Sequence, residues 1–242
     1  MTHIVFGGTN GIGKRCLKLI NKKYNDDSLN IDLTNNKSTI NKSIIGDLSS
    51  NIFRDELYLK LKKIKIESIT WSIRSRSKKE QSSKILQDCM AVEIYPLMEL
   101  IEFLGNEICR QNAKIVVISS IASEFVSAQD AAYNITKSAI ETYVKCMAVK
   151  FGKLSQARIN VIRAGIVSMP ERSNINQSKN NTIKLEKASI PRLSPITAEE
   201  IAKLNLFLIS NDSSALNGSI ISADGGESLL DQYFVAQSMQ EV

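Results

Sequence analysis

A single histidine, His3, is the sharpest scarcity in this chain of 242 residues. One imidazole leaves almost nothing from which to build a zinc site or a Ser-His-Asp triad. No metal ligands are expected, and His3, at the start of a strand, reads as structural. Cysteine is sparse too: Cys16, Cys89, Cys109 and Cys146 form no CxxC pair, and each falls in an apolar periodic segment. Packed, reduced thiols in a cytoplasmic protein are expected rather than a disulfide frame. Apolar runs such as Ile115–Ile118 are far shorter than the ~20 residues needed to span a bilayer. Residues Met1 to Phe6 carry no basic n-region or cleavage pattern, so no signal peptide is expected. A net charge of +6 and a pI of about 9.1 are mildly basic, but lysines and acids are interleaved. No basic block or aromatic interleaving marks a nucleic-acid surface, and the expected partner is a small molecule. No Pro/Gly/Ser-rich linker and no repeat divides the chain, which predicts one domain over residues 1–242.

What is present is alternation. Short β-branched runs at Thr2–Phe6, Leu29–Leu33, Ser43–Gly46, Ile66–Ser72, Lys114–Ser119, Arg158–Ile162 and Ser219–Ala223 read as strands. Helical patterns lie between most of them: Ile12–Ile20, Phe53–Ile64, one long amphipathic helix over Ser83–Leu104, Tyr133–Phe151 and Ala198–Ser210. Thr197 with Glu200 three residues on forms a capping-box signature for the last of these. The polar stretch between the second and third strands is short for a crossover helix. The pattern predicts an α/β fold, a Rossmann-like doubly wound parallel sheet of seven strands flanked by helices.

Between the first strand and first helix lies Gly7-Gly8-Thr9-Asn10-Gly11-Ile12-Gly13. Glycines there permit a tight turn and close backbone approach to a pyrophosphate, and the helix N-terminus offers amide donors. The spacing is GxxxGxG rather than GxGxxG, and a glycine turn alone also serves merely to pack strand on helix. Asp32 ends the second strand, where a carboxylate accepts from an adenosine ribose and repels a 2′-phosphate. NAD(H) is therefore favoured over NADP(H), although Lys37 nearby could accommodate the phosphate. Asp47, followed by Leu48 after the third strand, could meet the adenine amino group or simply cap the next segment.

Tyr133 and Lys137 stand four residues apart on one helix face, about 5–6 Å between Cβ atoms, and Ser120 lies thirteen positions before the tyrosine. A positive charge held beside a phenol favours the phenolate, so Tyr133 is expected to exchange protons nearer neutrality than a free phenol. A serine hydroxyl at the strand tip can donate to the same substrate oxygen. Taken singly, a Tyr/Lys pair is usually surface and a serine after a strand is usually a loop start. Their joint spacing behind a glycine turn argues against coincidence.

Together these segments resemble the short-chain dehydrogenase/reductase family, over nearly the whole chain. The family's TGxxxGxG corresponds to Phe6 through Gly13, with Phe6 in place of Thr, and its Ser–Tyr–Lys set falls on Ser120, Tyr133 and Lys137. Its PG segment appears as Ala164-Gly165, followed by Ile166 and Val167, with Ser168 replacing a cofactor-binding Thr. The ending Leu216-Asn217-Gly218 through Asp224-Gly225-Gly226 looks like the family's ITGQ…DGG. The short segment between the second and third strands is similar to that of bacterial 3α-hydroxysteroid dehydrogenase/carbonyl reductases, which are NAD-linked. The resemblance implies hydride transfer between a nicotinamide and a secondary alcohol or carbonyl, with Tyr133 as acid/base, and a homotetramer or homodimer. It places cofactor contacts on Gly7, Thr9, Asn10, Gly11, Ile12, Gly13, Asp32, Asp47, Leu48, Tyr133, Lys137, Ile166 and Ser168, and a substrate lid over about 169–190. Two departures stand out. Trp71-Ser72-Ile73-Arg74 replaces NNAG, and Glu93 replaces an Asn that holds a relay water. Glu93 is thus a possible relay, or a partner for Lys137 or Arg74. These departures also motivate the alternative of a catalytically impaired nucleotide-binding or scaffold protein. An extended-branch epimerase or dehydratase fits the glycine spacing less well, and a SAM-dependent methyltransferase leaves YxxxK unexplained.

Overall fold

Nine strands and seven α-helices are defined in a computed structural model that describes residues 1–25, 27–34, 42–75, 81–126, 130–168 and 188–241. The strands are β1 (Thr2–Phe6), β2 (Ser28–Asp32), β3 (Ser43–Ile45), β4 (Ile66–Trp71), β5 (Lys114–Ser120), β6 (Arg158–Ala164), β7 (Val167–Ser168), β8 (Ile196–Thr197) and β9 (Ile220–Ala223). The helices are α1 (Gly11–Tyr24), α2 (Asn51–Leu61), α3 (Ser82–Cys89), α4 (Tyr95–Gln111), α5 (Ala131–Gly152), α6 (Ala198–Leu208) and α7 (Gln232–Glu241). Seven strands pair in parallel in the order β3-β2-β1-β4-β5-β6-β9, as the alternation predicts. The order reverses direction between β1 and β4, which is where open α/β sheets place their ligand crevice. A small second sheet, β7 with β8, was not legible in the sequence.

Burial on both faces explains the near-continuous apolar strands. Ile4, Phe6, Ile69, Trp71, Ile115, Val117, Ile159 and Val161 form one core with α2, α4 and α5. Val5, Val116, Ile118 and Ile162 form the other, against Leu17 and Ile20 of α1 and Ile201 and Leu208 of α6. Each fully buried Ile or Leu stabilises the fold by roughly 1.5–3 kcal/mol. Among the described residues no helix is long and apolar enough to cross a membrane.

Several local expectations change. The long helix is not one α-helix: α3 passes through a π-helical turn, Met90–Ile94, into α4, which runs on to Gln111. Pro96 gives the reason, because it has no N–H to offer the carbonyl of Val92, and Tyr95 instead donates to Met90. Asp47 is not the N-cap of α2: its carboxylate accepts from Ser49 N at 2.8 Å, and Ser50 caps the helix through Phe53 N. Cys16 and Cys89 are buried thiols, but Cys146 is exposed. The capping box at Thr197 and Glu200 is formed, with Thr197 N donating to Glu200 at 2.8 Å and Glu200 N to Thr197 Oγ1 at 3.2 Å. Most of the expected lid, residues 169–187, lies outside the described residues, as does Lys37.

His3 is structural: buried, stacked on Tyr24 at 4.1 Å, its Nδ1 2.8 Å from Ser68 Oγ. Burial, only partly offset by Glu67 and Asp27, pulls its pKa down from 6.5 to about 4. The unfolded chain therefore takes up a proton below pH 6.5 that the folded chain refuses until about pH 4, so stability falls as pH drops through that window. Urea midpoints measured from pH 7 to 4 should fall more steeply for the wild type than for His3→Gln. Parallel slopes would assign the loss to other groups.

Candidate active site

The C-terminal ends of β1, β4, β5 and β6 carry the residues in question. After β1, Gly7 turns the chain with φ +82°, and a Cβ on it would sit 2.7 Å from the Ser72 carbonyl oxygen. A Cβ on Gly13 would collide with the carbonyl oxygen of Gly7, so α1 can start this close only with glycine there. Two acceptors on β2, the buried Asn30 and the half-buried Asp32, pin the turn. Gly8 N donates to Asn30 Oδ1 and Thr9 N to Asp32 Oδ2, both at 2.9 Å, and Thr9 Oγ1 donates to Thr34 O at 2.8 Å. Asn10 occupies the N-cap position of α1, yet its side chain makes no capping bond. The first-turn amides of Gly11, Ile12 and Gly13 precede the first intrahelical donor, Lys14, and so have no intrahelical acceptor. That cradle fits a dinucleotide pyrophosphate. Asp32 also accepts from Leu33 N at 2.8 Å, and a carboxylate's further lone pairs remain available to ribose hydroxyls.

At β1 and β4, Phe6 and Trp71 are both fully buried and their rings pack at 4.6 Å. Two departures from the family pattern are therefore one contact. Beyond Trp71, Ser72 N donates to Phe6 O at 3.0 Å and Ser75 N to Glu93 Oε1 at 2.7 Å, which brackets Arg74. The Arg74 guanidinium carbon lies 4.6 Å from the centroid of the Tyr133 ring, and Lys137 Nζ 5.6 Å from the same point.

Glu93 sits on the π turn with no exposed surface, and its Oε2 accepts from Lys137 Nζ at 2.7 Å. Of the alternatives open at that position, the carboxylate pairs directly with the ammonium and with the Ser75 amide. Burial, with Glu93 adding to it, pushes the nearby Cys89 thiol up, so it is a packed thiol and not a nucleophile.

Tyr133 and Lys137 lie on α5, which starts where Asp130 accepts from Ala132 N at 2.9 Å. Ser120 ends β5 and its Oγ accepts from Ala122 N at 3.3 Å, opening a 3₁₀ turn. On α5, Asn134 donates to the carbonyl of Phe125 at 3.0 Å and Ser138 to that of Ser123 at 2.6 Å, fixing strand tip to helix. Behind that turn Arg163 pairs with Glu124 and, at 2.7 Å, with Glu141, which also accepts from Ser123 Oγ at 2.6 Å. Asp47 is exposed and Leu48 buried at the β3 edge of the crevice. Ile166 N donates to Glu227 Oε2 at 2.9 Å, while Ser168 is exposed on β7. Burial pushes the Glu227 carboxyl up. Sequence reasoning did not single out Asn30 or Glu227. The one signal for Glu227 was its place directly after the double glycine.

With this geometry in view, the comparisons are specific. A family model described as enoyl-(acyl carrier protein) reductase matches residues 63–228. The chain belongs to the short-chain dehydrogenase/reductase family. Oxidoreductase UcpA of Escherichia coli (strain K12) is 33% identical over 132 residues, 52% of this chain and 50% of that protein. The matched region thus spans about half the length of such curated relatives. Enoyl-[acyl-carrier-protein] reductase [NADH] FabI of Buchnera aphidicola subsp. Schizaphis graminum is 26% identical over 223 residues, 88% of this chain and 81% of its own. Among solved structures, a short chain dehydrogenase family protein from Francisella tularensis subsp. tularensis SCHU S4 has a TM-score of 0.80 at 25% identity, covering 95% of this chain and 99% of that one. 4-Hydroxyisoleucine dehydrogenase complexed with NADH has a TM-score of 0.84 at 23% identity, covering the same shares, and speaks for the fold.

Removing the Glu93 carboxylate leaves a buried ammonium without its counter-charge, at a cost of about 3–5 kcal/mol. We expect Glu93→Ala to lose stability on that scale in chemical denaturation. Glu93→Gln should lose less, and the double variant Glu93→Leu/Lys137→Met should recover most of it. An unaltered midpoint in Glu93→Ala would mean that the pair is not held in solution.

Proposed function

We propose that the protein is a nicotinamide-dependent oxidoreductase that interconverts a secondary alcohol and a carbonyl, with NAD(H) preferred over NADP(H). The observation that carries this reading is the Tyr133 ring beside the Lys137 ammonium, on a helix tied to the strand tip that ends in Ser120. The Gly7–Gly13 turn and the first amides of α1 would hold the pyrophosphate, and Asp32 the adenosine ribose. Asp47 and Leu48 would border the adenine, and Ile166 and Ser168 the nicotinamide side. The nicotinamide supplies or takes up the hydride.

In the reducing direction the Tyr133 hydroxyl gives its proton to the substrate oxygen while the hydride reaches the carbon. In the oxidising direction the phenolate removes the alcohol proton. Ser120 Oγ donates to the same oxygen and offsets the charge that develops there. Lys137 holds the nicotinamide ribose hydroxyls and keeps positive charge near the phenol. Glu93 holds that ammonium in place through the 2.7 Å ion pair, at the position where the family pattern has the Asn of the relay. Residues 169–190 would close over the substrate. Residues 1–242 act as one nucleotide-binding domain. A cytoplasmic homotetramer or homodimer fits this reading, with Tyr95 and Phe103 on α4, Val149 on α5 and Tyr233 and Phe234 on α7 all exposed.

A second reading has a specific observation behind it. Glu93 matches the Lys137 charge and Arg74 covers a face of Tyr133, as expected if the chain binds a nucleotide without turnover. One experiment separates the two. Thermal shifts with NADH and NADPH should favour NADH, and the preferred cofactor should then be consumed with members of a carbonyl panel. Tyr133→Phe should lower turnover by on the order of 10²–10⁴-fold with cofactor binding intact. Turnover at the wild-type rate in that variant would remove Tyr133 from the chemistry. A larger shift with NADPH would overturn the role of Asp32.

A further inference from the structure

Building on the oxidoreductase reading, we propose that Glu141 is a positioning residue, which fixes Ser120 Oγ relative to the Tyr133 hydroxyl by tying the turn after β5 to the helix that carries the tyrosine. Glu141 is 5% exposed, and the chemistry proposed above gives it no part. It stands on α5 four residues after Lys137 and eight after Tyr133, so phenol, ammonium and carboxylate share one stripe of the helix. Both of its oxygens are taken. Arg163 reaches it with a fork, Nε to Oε1 at 3.2 Å and Nη2 to Oε2 at 2.7 Å, and Ser123 Oγ donates to Oε1 at 2.6 Å. Arg163 comes from β6, where it pairs in register with Ser119, and its remaining arm meets Glu124. One carboxylate thus joins β6, α5 and the 3₁₀ turn Ile121–Ser123.

That turn begins at Ser120. The Ser120 hydroxyl oxygen accepts from Ala122 N at 3.3 Å, which leaves its single proton for a substrate oxygen. The direction of that proton therefore depends on where the turn sits. Ser138 Oγ holds the backbone of the turn through Ser123 O at 2.6 Å, but it also donates to Asn134 O at 2.9 Å, so that tie is shared. The bond from Ser123 to Glu141 has a charged acceptor, which makes it roughly twice as strong as a neutral one. The two-point grip of Arg163 keeps the carboxylate from turning away from the serine. A misplacement of about 1 Å costs on the order of 10²-fold in rate, so a tie of this kind is read in kcat.

The test is a double-variant cycle, run with the preferred cofactor and the best carbonyl of the panel. Ser123→Ala removes the tie and leaves the fork between Arg163 and Glu141 intact, while Glu141→Gln takes away the charged acceptor. Each should lower kcat by on the order of tenfold to a hundredfold, with KM for the cofactor unchanged. In a Ser120→Ala background the same changes should cost no more than about twofold, because the group they place is already gone. An equal loss in both backgrounds, or wild-type kcat in both single variants, overturns the inference while the oxidoreductase reading stands. If the wild type reduces no carbonyl, that reading fails instead, and amide hydrogen exchange decides. Ala122, Glu124 and Phe125 all donate inside the turn, so their amides report its opening. Exchange there faster by on the order of tenfold in Ser123→Ala, with the rest of β5 and α5 unaltered, supports the tie, and unaltered exchange at those amides overturns it.

Discussion

The carboxylate of Glu93 and the ammonium of Lys137 meet at 2.7 Å with almost no contact with water. Desolvating two such ions costs several kcal/mol each, and their attraction compensates only if the geometry is good and the remaining lone pairs are used. Both conditions hold here, because the second carboxylate oxygen accepts from Ser75 N at 2.7 Å. One side chain thereby fastens three pieces of the molecule together: the π turn, the long helix α5 and the segment leaving β4. The positions of Arg74, Tyr133 and Lys137 relative to one another follow from that fastening.

The turn that makes it possible has its own cause. Pro96 interrupts the regular ladder, the extra residue is absorbed at Met90–Ile94, and Glu93 lies buried within that turn. A similar economy joins the opposite wall. Phe6 is larger than the threonine the family pattern supplies and Trp71 larger than its asparagine, and the two rings pack on each other. Beneath the crevice between β1 and β4 the two larger side chains thus share one buried contact.

Much of the architecture was readable from residue order, and the reasons are physical. Apolar β-branched runs buried on both faces announce parallel strands, so the seven-stranded sheet followed from the alternation. Thr197 and Glu200 announced a helix start because their bonding is local. What the chain hid was non-local or ambiguous. Pro96 was visible, but apolar periodicity on both sides concealed the break at the π turn. The partner of Glu93 depended on a fold that brings α5 against the π turn, and the hold of Glu227 on Ile166 N links residues sixty-one apart. Asp47 and Ser50 are both plausible caps, and only the path of the chain picks the serine. Cys146 lay in an apolar pattern yet faces solvent, because the buried positions of α5 recur at Ile140, Val144, Ala148 and Phe151 and Cys146 falls between them.

The glycine turn after β1 is held by Asn30 and Asp32 from the neighbouring strand, at 2.9 Å each. Its backbone freedom, worth about 1–2 kcal/mol per residue, is already lost when the protein folds. A phosphate group bound there, as proposed, would meet amides that need no rearrangement, and the chain would lose little further entropy on association. Affinity at this end of the crevice would then depend in part on rigidity supplied by β2, through Asn30 as well as through Asp32.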